Sequence, residues 1–182
     1  MSESTKLSSS TTVARYRKLV AAGDRKAVGK FFVERFDERY FRPIEDSSSK
    51  HGFAVLAVAC LIIETLESFY QGRADTKNVS AQMFRDFLVR DTSLKALAGG
   101  NDWFYKDIRC SILHQSESRG GWRVLRRGPL LDVQAKALNA TSILRALKIE
   151  VRQYAQKIQK DEQLWKNFCK KMGAVCGNCV AP

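Results

Sequence analysis

Histidine is almost missing from this sequence, with only His51 and His114 among 182 residues. That scarcity excludes a histidine-rich metal centre and confines imidazole chemistry to two positions. Cysteine is present five times, an odd number without framework spacing, which excludes a disulfide scaffold and fits a reducing cytoplasm. Cys60 lies within an apolar run and reads as a small core residue. Cys169, Cys176 and Cys179 form the only metal-like cluster, and the two-residue gap between the last two would suit a shared zinc. A fourth ligand is lacking, so the expectation is no metal, no cofactor and a flexible tail over 173–182. Also lacking is an apolar leader. Met1 to Thr12 is polar and rich in Ser and Thr, which is neither a secretory signal nor an anchor, and it reads as a disordered leader over 1–12. The longest apolar run, Phe53 to Ile63, is too short to span a bilayer, so no membrane partner is expected. There is no internal repeat.

Acidic residues are few where basic ones are many. Residues 1–91 carry 15 Lys/Arg against 12 Asp/Glu, and residues 92–182 carry 16 against 7, within a net charge of +12. A basic half of that size favours phosphate-bearing partners or an anionic membrane surface, although many basic surfaces only provide solubility. Hydrophobic residues at 45% place the chain far from the composition of disorder. The length suits one domain, read as 13–172.

Apolar periodicity predicts an all-α bundle of five or six helices. Val13 to Ala22 fits a short helix. Asp24 is placed to cap a longer one carrying Val28, Phe31, Phe32, Phe36 and Tyr40. Gly52 to Tyr70 has almost no polar face until Glu64, as expected of a central helix covered on most sides. Asn78 is placed to cap a helix with Met83, Phe84, Phe87 and Leu88 on one face. After Gly99 and Gly100, a helix starting at Asn101 or Asp102 carries the stripe Phe104, Tyr105, Ile108 and Ile112, with Gly120 and Gly121 as its latest end. Two short apolar segments flank Arg127-Gly128-Pro129 and fit a small β-hairpin over 122–133. From Ala137 to Lys160 a continuous seam runs through Leu144, Leu147, Val151, Tyr154 and Ile158, with Arg145, Lys148, Arg152 and Lys157 opposite. A last helix from about Asp161 carries Leu164, Trp165, Phe168 and Met172, with Gly173 as its stop.

One segment combines residues able to act on a phosphodiester: Trp103-Phe-Tyr-Lys-Asp-Ile-Arg-Cys-Ser-Ile-Leu-His-Gln-Ser-Glu117. Arg109 supplies a permanent charge that can grip a phosphate through two N–H groups, and His114 supplies a group that exchanges protons near neutral pH. If a ribose 2′-OH is the nucleophile, it is already tethered beside the phosphorus; no metal is needed and DNA is spared. The bland alternative is an Arg and a His that share a helix by chance, with His114 only near terminal carbonyls. Glu64 and Glu67 lie on neighbouring parts of the central helix. A carboxylate there could orient Arg109 or His114, or could mark where the helix meets solvent. Tyr105, four residues before Arg109, could touch it or could simply pack in the core. Arg119, Trp122, Arg123, Arg126 and Arg127 are the densest basic cluster, with an aromatic ring able to stack on a base; the alternative is a solvated loop.

The segment Arg109-Cys-Ser-Ile-Leu-His114, with Phe104-Tyr105 upstream and His114-Gln-Ser-Glu117 leading into the glycine turn, resembles the HEPN (higher eukaryotes and prokaryotes nucleotide-binding) superfamily. Its hallmark is an Arg, four to six residues, then a His, late in a helical bundle. The resemblance extends from about Phe31 to Ile158. It implies an all-α fold, homodimers with two Arg/His pairs facing one cleft, and metal-independent endoribonuclease activity in toxin or antiviral defence systems. It makes Arg109 and His114 the catalytic pair, with Glu64 and Tyr105 supporting, RNA as the partner and an antitoxin-type protein as a further one. Cys110 stands where active members carry Asn, Asp or His. Some members bind RNA or a partner protein without cleaving, and that is the alternative function.

Overall fold

The computed structural model describes residues 3–49, 51–90 and 93–180. The fold is all-α with one small sheet. Where the sequence reads as one domain over 13–172, the contacts gather into two compact units: Met1–Asp46 with Ser68–Asp75 and Val151–Pro182, and Ser47–Glu67 with Thr76–Glu150.

The first unit holds α1 (Val13–Ala21), α2 (Arg25–Phe36), a π-helical turn (Asp37–Phe41) and α3 (Arg42–Glu45). It also takes the C-terminal parts of α4 (Gly52–Gln71) and α7 (Ala140–Lys160), and all of α8 (Glu162–Val180). Asp24 caps α2 by accepting from the Ala27 N–H at 2.9 Å, and Asp161 caps α8 by accepting from Leu164 at 2.9 Å. The core is aromatic. Phe32 meets Phe36, Phe69, Tyr154 and Phe168 at centroid distances of 4.7, 5.0, 5.3 and 5.6 Å. Such tilted and edge-on pairs place ring edges on ring faces. The buried Tyr154 hydroxyl donates to the Phe69 carbonyl at 3.1 Å, so the one polar atom brought into this cluster is satisfied.

Both ends of the chain depart from expectation within this unit. Residues 3–12, read as part of a disordered leader, fold back onto α2. Leu7 is fully buried, its N–H donates to the Thr11 carbonyl at 2.8 Å, and its own carbonyl accepts from Arg35 at 2.6 Å. The Ser and Thr content that suggested disorder serves here as donors: Ser9 and Ser10 hydroxyls reach the two oxygens of Glu34 at 2.8 and 2.5 Å. The tail read as flexible from 173 is helical to Val180. Trp165, Phe168, Met172 and Cys176 make one stripe, and burying Cys176 outweighs the roughly 1 kcal/mol that Gly173 costs inside a helix. Residues 1, 2, 181 and 182, which fall in those two expected segments, lie outside the described residues.

The second unit is built on α4 up to Glu67, α5 (Ser80–Arg90), a π-helical stretch (Phe104–Cys110) continuing as α6 (Ser111–Gln115), and α7 up to Glu150. Val55, Leu56, Ala59, Ile62, Ile63 and Leu66 of α4 are buried, together with Met83, Phe84, Phe87, Phe104, Ile108 and Leu147. By length and composition α4 could cross a membrane, a longer apolar helix than the run Phe53 to Ile63 suggested, but more than half of its most apolar window is covered by the protein. Asn78, expected as a cap, has φ 64°, and α5 starts at Ser80. The β element expected over 122–133 is present as β1 (Arg123–Leu125) and β2 (Leu131–Asp132). These two strands do not form a hairpin with each other. Both pair with β3 (Ala137–Asn139), β1 in parallel and β2 antiparallel, giving the order β1-β3-β2. The start of the long helical seam is therefore a buried strand, and α7 begins only at Ala140, where Asn139 Oδ1 accepts from the Ser142 N–H at 3.0 Å.

Replacing Phe32 by Ala removes the ring common to four aromatic contacts, and a loss of about 3–5 kcal/mol is expected. Urea unfolding should register it, against a change within about 0.5 kcal/mol for Val133→Ala on the surface.

Candidate functional site

The segment carrying Arg109 is not an ordinary α-helix. Asn101 and Asp102 adopt left-handed φ of 62° and 56°, and the Asp102 carboxylate, rather than capping a helix, accepts from Arg85 at 2.6 Å. The chain then runs as a π-helix from Phe104 to Cys110 and narrows to α from Ser111. Phe104, Ile108 and Ile112 are spaced by four and all buried, a period that a widened coil keeps on one face better than the 3.6 of an α-helix. The Ser111 hydroxyl reaches back five residues to the Lys106 carbonyl at 3.2 Å. Ser116, at φ 56°, ends the helix in the left-handed cap position.

This geometry directs Arg109 to α4. Its Nη2 lies 3.2 Å from Glu64 Oε2, with the two side chains 19% and 16% exposed. Glu64 also accepts from the Thr76 hydroxyl at 2.5 Å and the Ser80 hydroxyl at 2.7 Å. A carboxylate with three donors from three segments cannot swing freely, and it fixes the guanidinium in turn. Tyr105 supplies the floor: Arg109 Cζ sits 5.4 Å from its ring centroid, while the ring packs edge-on against Phe84 at 5.3 Å. Burial works against the Arg109 charge, but Glu64, followed by Tyr105, outweighs it and the pKa is pushed up. Glu67, the second acid of α4, is fully buried and gripped by Arg90 through two bonds at 2.7 and 3.2 Å. Neither acid marks the place where the helix opens to solvent.

His114 is exposed on the last turn of α6 and has no hydrogen-bonding partner among the described residues. The structure thus brings Arg109, Glu64 and Tyr105 together and leaves His114 presented to solvent. Cys110, next to Arg109, is half-buried. Beneath the pair lies Cys60, whose thiol burial pushes up to about 12 despite an opposing pull from Arg109. Among the described residues no group of three or more His, Cys, Asp and Glu side chains could hold a metal ion.

The basic cluster of 119–127 is divided. Arg119 Nε pairs with Asp107 at 3.2 Å, and its N–H donates to the Asp107 carbonyl at 2.9 Å, tying the glycine turn to the π stretch. Trp122 stacks on Trp103 with centroids 4.1 Å apart and planes at 21°, so one of its faces is already covered. Arg123 donates to the Ala135 carbonyl at 3.1 Å. Arg126 and Arg127 instead line an open cleft of about 1120 Å³. Thr76 and Ser80, the anchors of Glu64, went unnoticed in the sequence. Their only signal is a hydroxyl-bearing turn just ahead of an amphipathic helix, which is indistinguishable from a capping segment.

No protein-family model matches the chain, and neither does any curated protein or solved structure.

Two outcomes follow. Glu64→Gln keeps one acceptor oxygen for either Thr76 or Ser80, turns the other into a donor, and strips Arg109 of its counter-charge in a mostly enclosed site. A destabilisation of about 1–3 kcal/mol is expected in chemical denaturation, less than for a fully buried pair because some solvent reaches both groups. For Cys60 the folded pKa lies above the ordinary value of 9.0. Its contribution to stability is therefore fully present below that pH and lost as pH rises towards about 12. Cys60→Ala should flatten the stability–pH slope in that window, whatever its own cost at neutral pH.

Proposed function

We propose that this protein is a HEPN-type, metal-independent endoribonuclease, with Arg109 and His114 as its catalytic pair. The observation that carries this reading is the Arg109–Glu64 ion pair, braced by Thr76 and Ser80. A carboxylate held in this way sets the direction of the guanidinium, and a guanidinium has five N–H donors, so donors remain for a phosphate after Glu64 is satisfied. In the proposed reaction the ribose 2′-oxygen attacks the neighbouring phosphorus, the bond to the 5′-oxygen breaks, and the products are a 2′,3′-cyclic phosphate and a 5′-hydroxyl. Arg109 stabilises the charge gathering on the phosphoryl oxygens, and His114 moves the proton or positions the 2′-OH.

A homodimer belongs to the same proposal. Leu113, beside His114, and Leu61, three residues before Glu64, are exposed apolar side chains at 43% and 47%. Apolar exposure flanking the pair supports a second copy that completes the cleft and orients the otherwise unpartnered His114. A cytoplasmic toxin or defence role, with an antitoxin-type partner holding the activity in check, is the biological setting this reading brings with it. Binding of RNA without cleavage is the second reading, favoured by Cys110 beside Arg109 and by the absence of an orienting partner for His114 among the described residues.

The test is cleavage of mixed cellular RNA in the presence of a chelator, with matched DNA as control. RNA alone should be cut, and His114→Ala should lower the rate by about 100-fold or more, the usual weight of a positioned acid–base group. A folded wild-type protein that cuts no RNA across pH and salt would end the ribonuclease reading.

A further inference from the structure

The cleft beside the sheet belongs to neither Arg109 nor His114, and its chemistry is different. Its walls are the turn after β1, the first turn of α4 and the first turn of α7, all in the second unit. Arg126, Arg127 and Arg145 line it, and among the described residues its lining includes no carboxylate. Arg126 is held in place by two bonds, Nε to the Thr141 hydroxyl at 3.4 Å and Nη1 to the Ser49 carbonyl at 3.2 Å. Three guanidinium N–H groups remain for a ligand. Arg127 and Arg145 are exposed and have no hydrogen-bonding or ion-pairing partner among the described residues. Unpaired arginines gathered along one cleft repel each other, and an anion bound among them relieves that repulsion.

The surroundings agree with that sign of charge. The first turns of α4 and α7 both face the cleft, and the positive end of a helix dipole favours anions. Thr141 and Ser142 add hydroxyl groups, and Asn139 is occupied in holding the wall: its Nδ2 donates to the Gly128 carbonyl at 2.7 Å while its Oδ1 caps α7. Gly128, at φ 95°, turns the chain so that Arg126 and Arg127 precede it along one edge. Phe53 on α4 and Leu125 at the end of β1 are 39% and 40% exposed in the same lining. Arginines for phosphates with an exposed ring among them is the pattern of a surface that binds bases and backbone of an unpaired strand. At about 1120 Å³ the cleft is also larger and more open than a pocket for one small ligand.

We propose that this cleft binds the phosphate backbone of a single-stranded polynucleotide, with Arg126, Arg127 and Arg145 on successive phosphates and Phe53 against a base. This does not rest on cleavage at Arg109 and His114, since the cleft would grip a strand whether or not it is cut.

Binding of a fluorescent oligouridylate of about twelve nucleotides to the full chain tests it, in the His114→Ala background so that the probe stays intact. The double variant Arg127→Gln/Arg145→Gln alters only exposed, unpartnered side chains, so folding should be unaffected and circular dichroism checks it. Loss of two phosphate contacts should lower the slope of log K against log salt by about 1.4 and weaken binding roughly tenfold at 0.15 M salt. Adding Arg126→Gln should deepen both effects. A control with Lys166→Gln/Lys170→Gln on α8 removes the same charge elsewhere and should leave affinity within about twofold. Equal losses in the cleft and control variants would overturn the proposal, as would a wild type that binds no oligonucleotide. Uridine monophosphate binding as tightly as the oligomer would assign the cleft to free nucleotide and overturn it as well. Cleft-dependent binding without any RNA cleavage would sink the ribonuclease reading alone, whereas cleavage with a KM indifferent to the cleft substitutions would sink this one.

Discussion

Two carboxylates on an otherwise apolar helix govern the second unit. Glu64 and Glu67 enter the protein with α4, and a carboxylate out of water must find cations or donors close by. Arg90 of α5 answers Glu67, and Arg109 of the π stretch answers Glu64 with help from Thr76 and Ser80. Apolar packing among Ile62, Ile63, Leu66, Phe84, Phe87 and Ile108 contributes most of the stabilisation. It is non-directional, however, and would tolerate a rotation of α4. The ion pairs would not, because each guanidinium has to meet its own oxygen atoms.

Most of the helical architecture was legible in the sequence because it depends on a repeating apolar face. Asp24 and Asp161 cap the helices they precede, and the stripes of α2, α5 and α7 are the buried ones. What escaped was structure fixed by single contacts. Residues 3–12 are held by Leu7 and by serine hydroxyls on Glu34, and one leucine in a polar stretch has no periodicity to detect. Strand β3 hid inside the seam read as α7, because Ala137, Leu138 and Asn139 complete a sheet whose other members lie several residues earlier. Asn78 and Asn101 were read as caps and instead take left-handed turns, which asparagine also tolerates.

The candidate site divides along the same line. That Tyr105 lies against Arg109 follows from a four-residue offset a reader of the sequence can count, whereas the meeting of Arg109 with Glu64, forty-five positions apart, is set by the fold. The fold likewise separates the five-residue cluster from Arg119 to Arg127 into different tasks. Sequence proximity grouped Arg119 with Arg127, while the glycine turn ahead of β1 ties Arg119 to Asp107 and the turn after β1 sends Arg127 to a cleft with Arg145, eighteen positions further on. Trp122, grouped with the arginines as a stacking platform, spends one face on Trp103. Charge density along a chain reports total attraction to a polyanion; only the fold decides which of those charges remain unneutralised.

The π stretch from Phe104 to Cys110 sets a limit of another kind. A π turn is what a helix forms when one residue more than the α period allows has to fit between contacts that cannot move, here the buried Phe104, Ile108 and Ile112. Single exchanges within it change one side chain at a time. Losing one codon would let an α coil join the same fixed contacts, whereas adding one ahead of Arg109 would have to widen the coil again or turn everything beyond it by about 100°, carrying Arg109 off Glu64 while every residue type survived. For this segment, a longer gene is a harsher change than a shorter one.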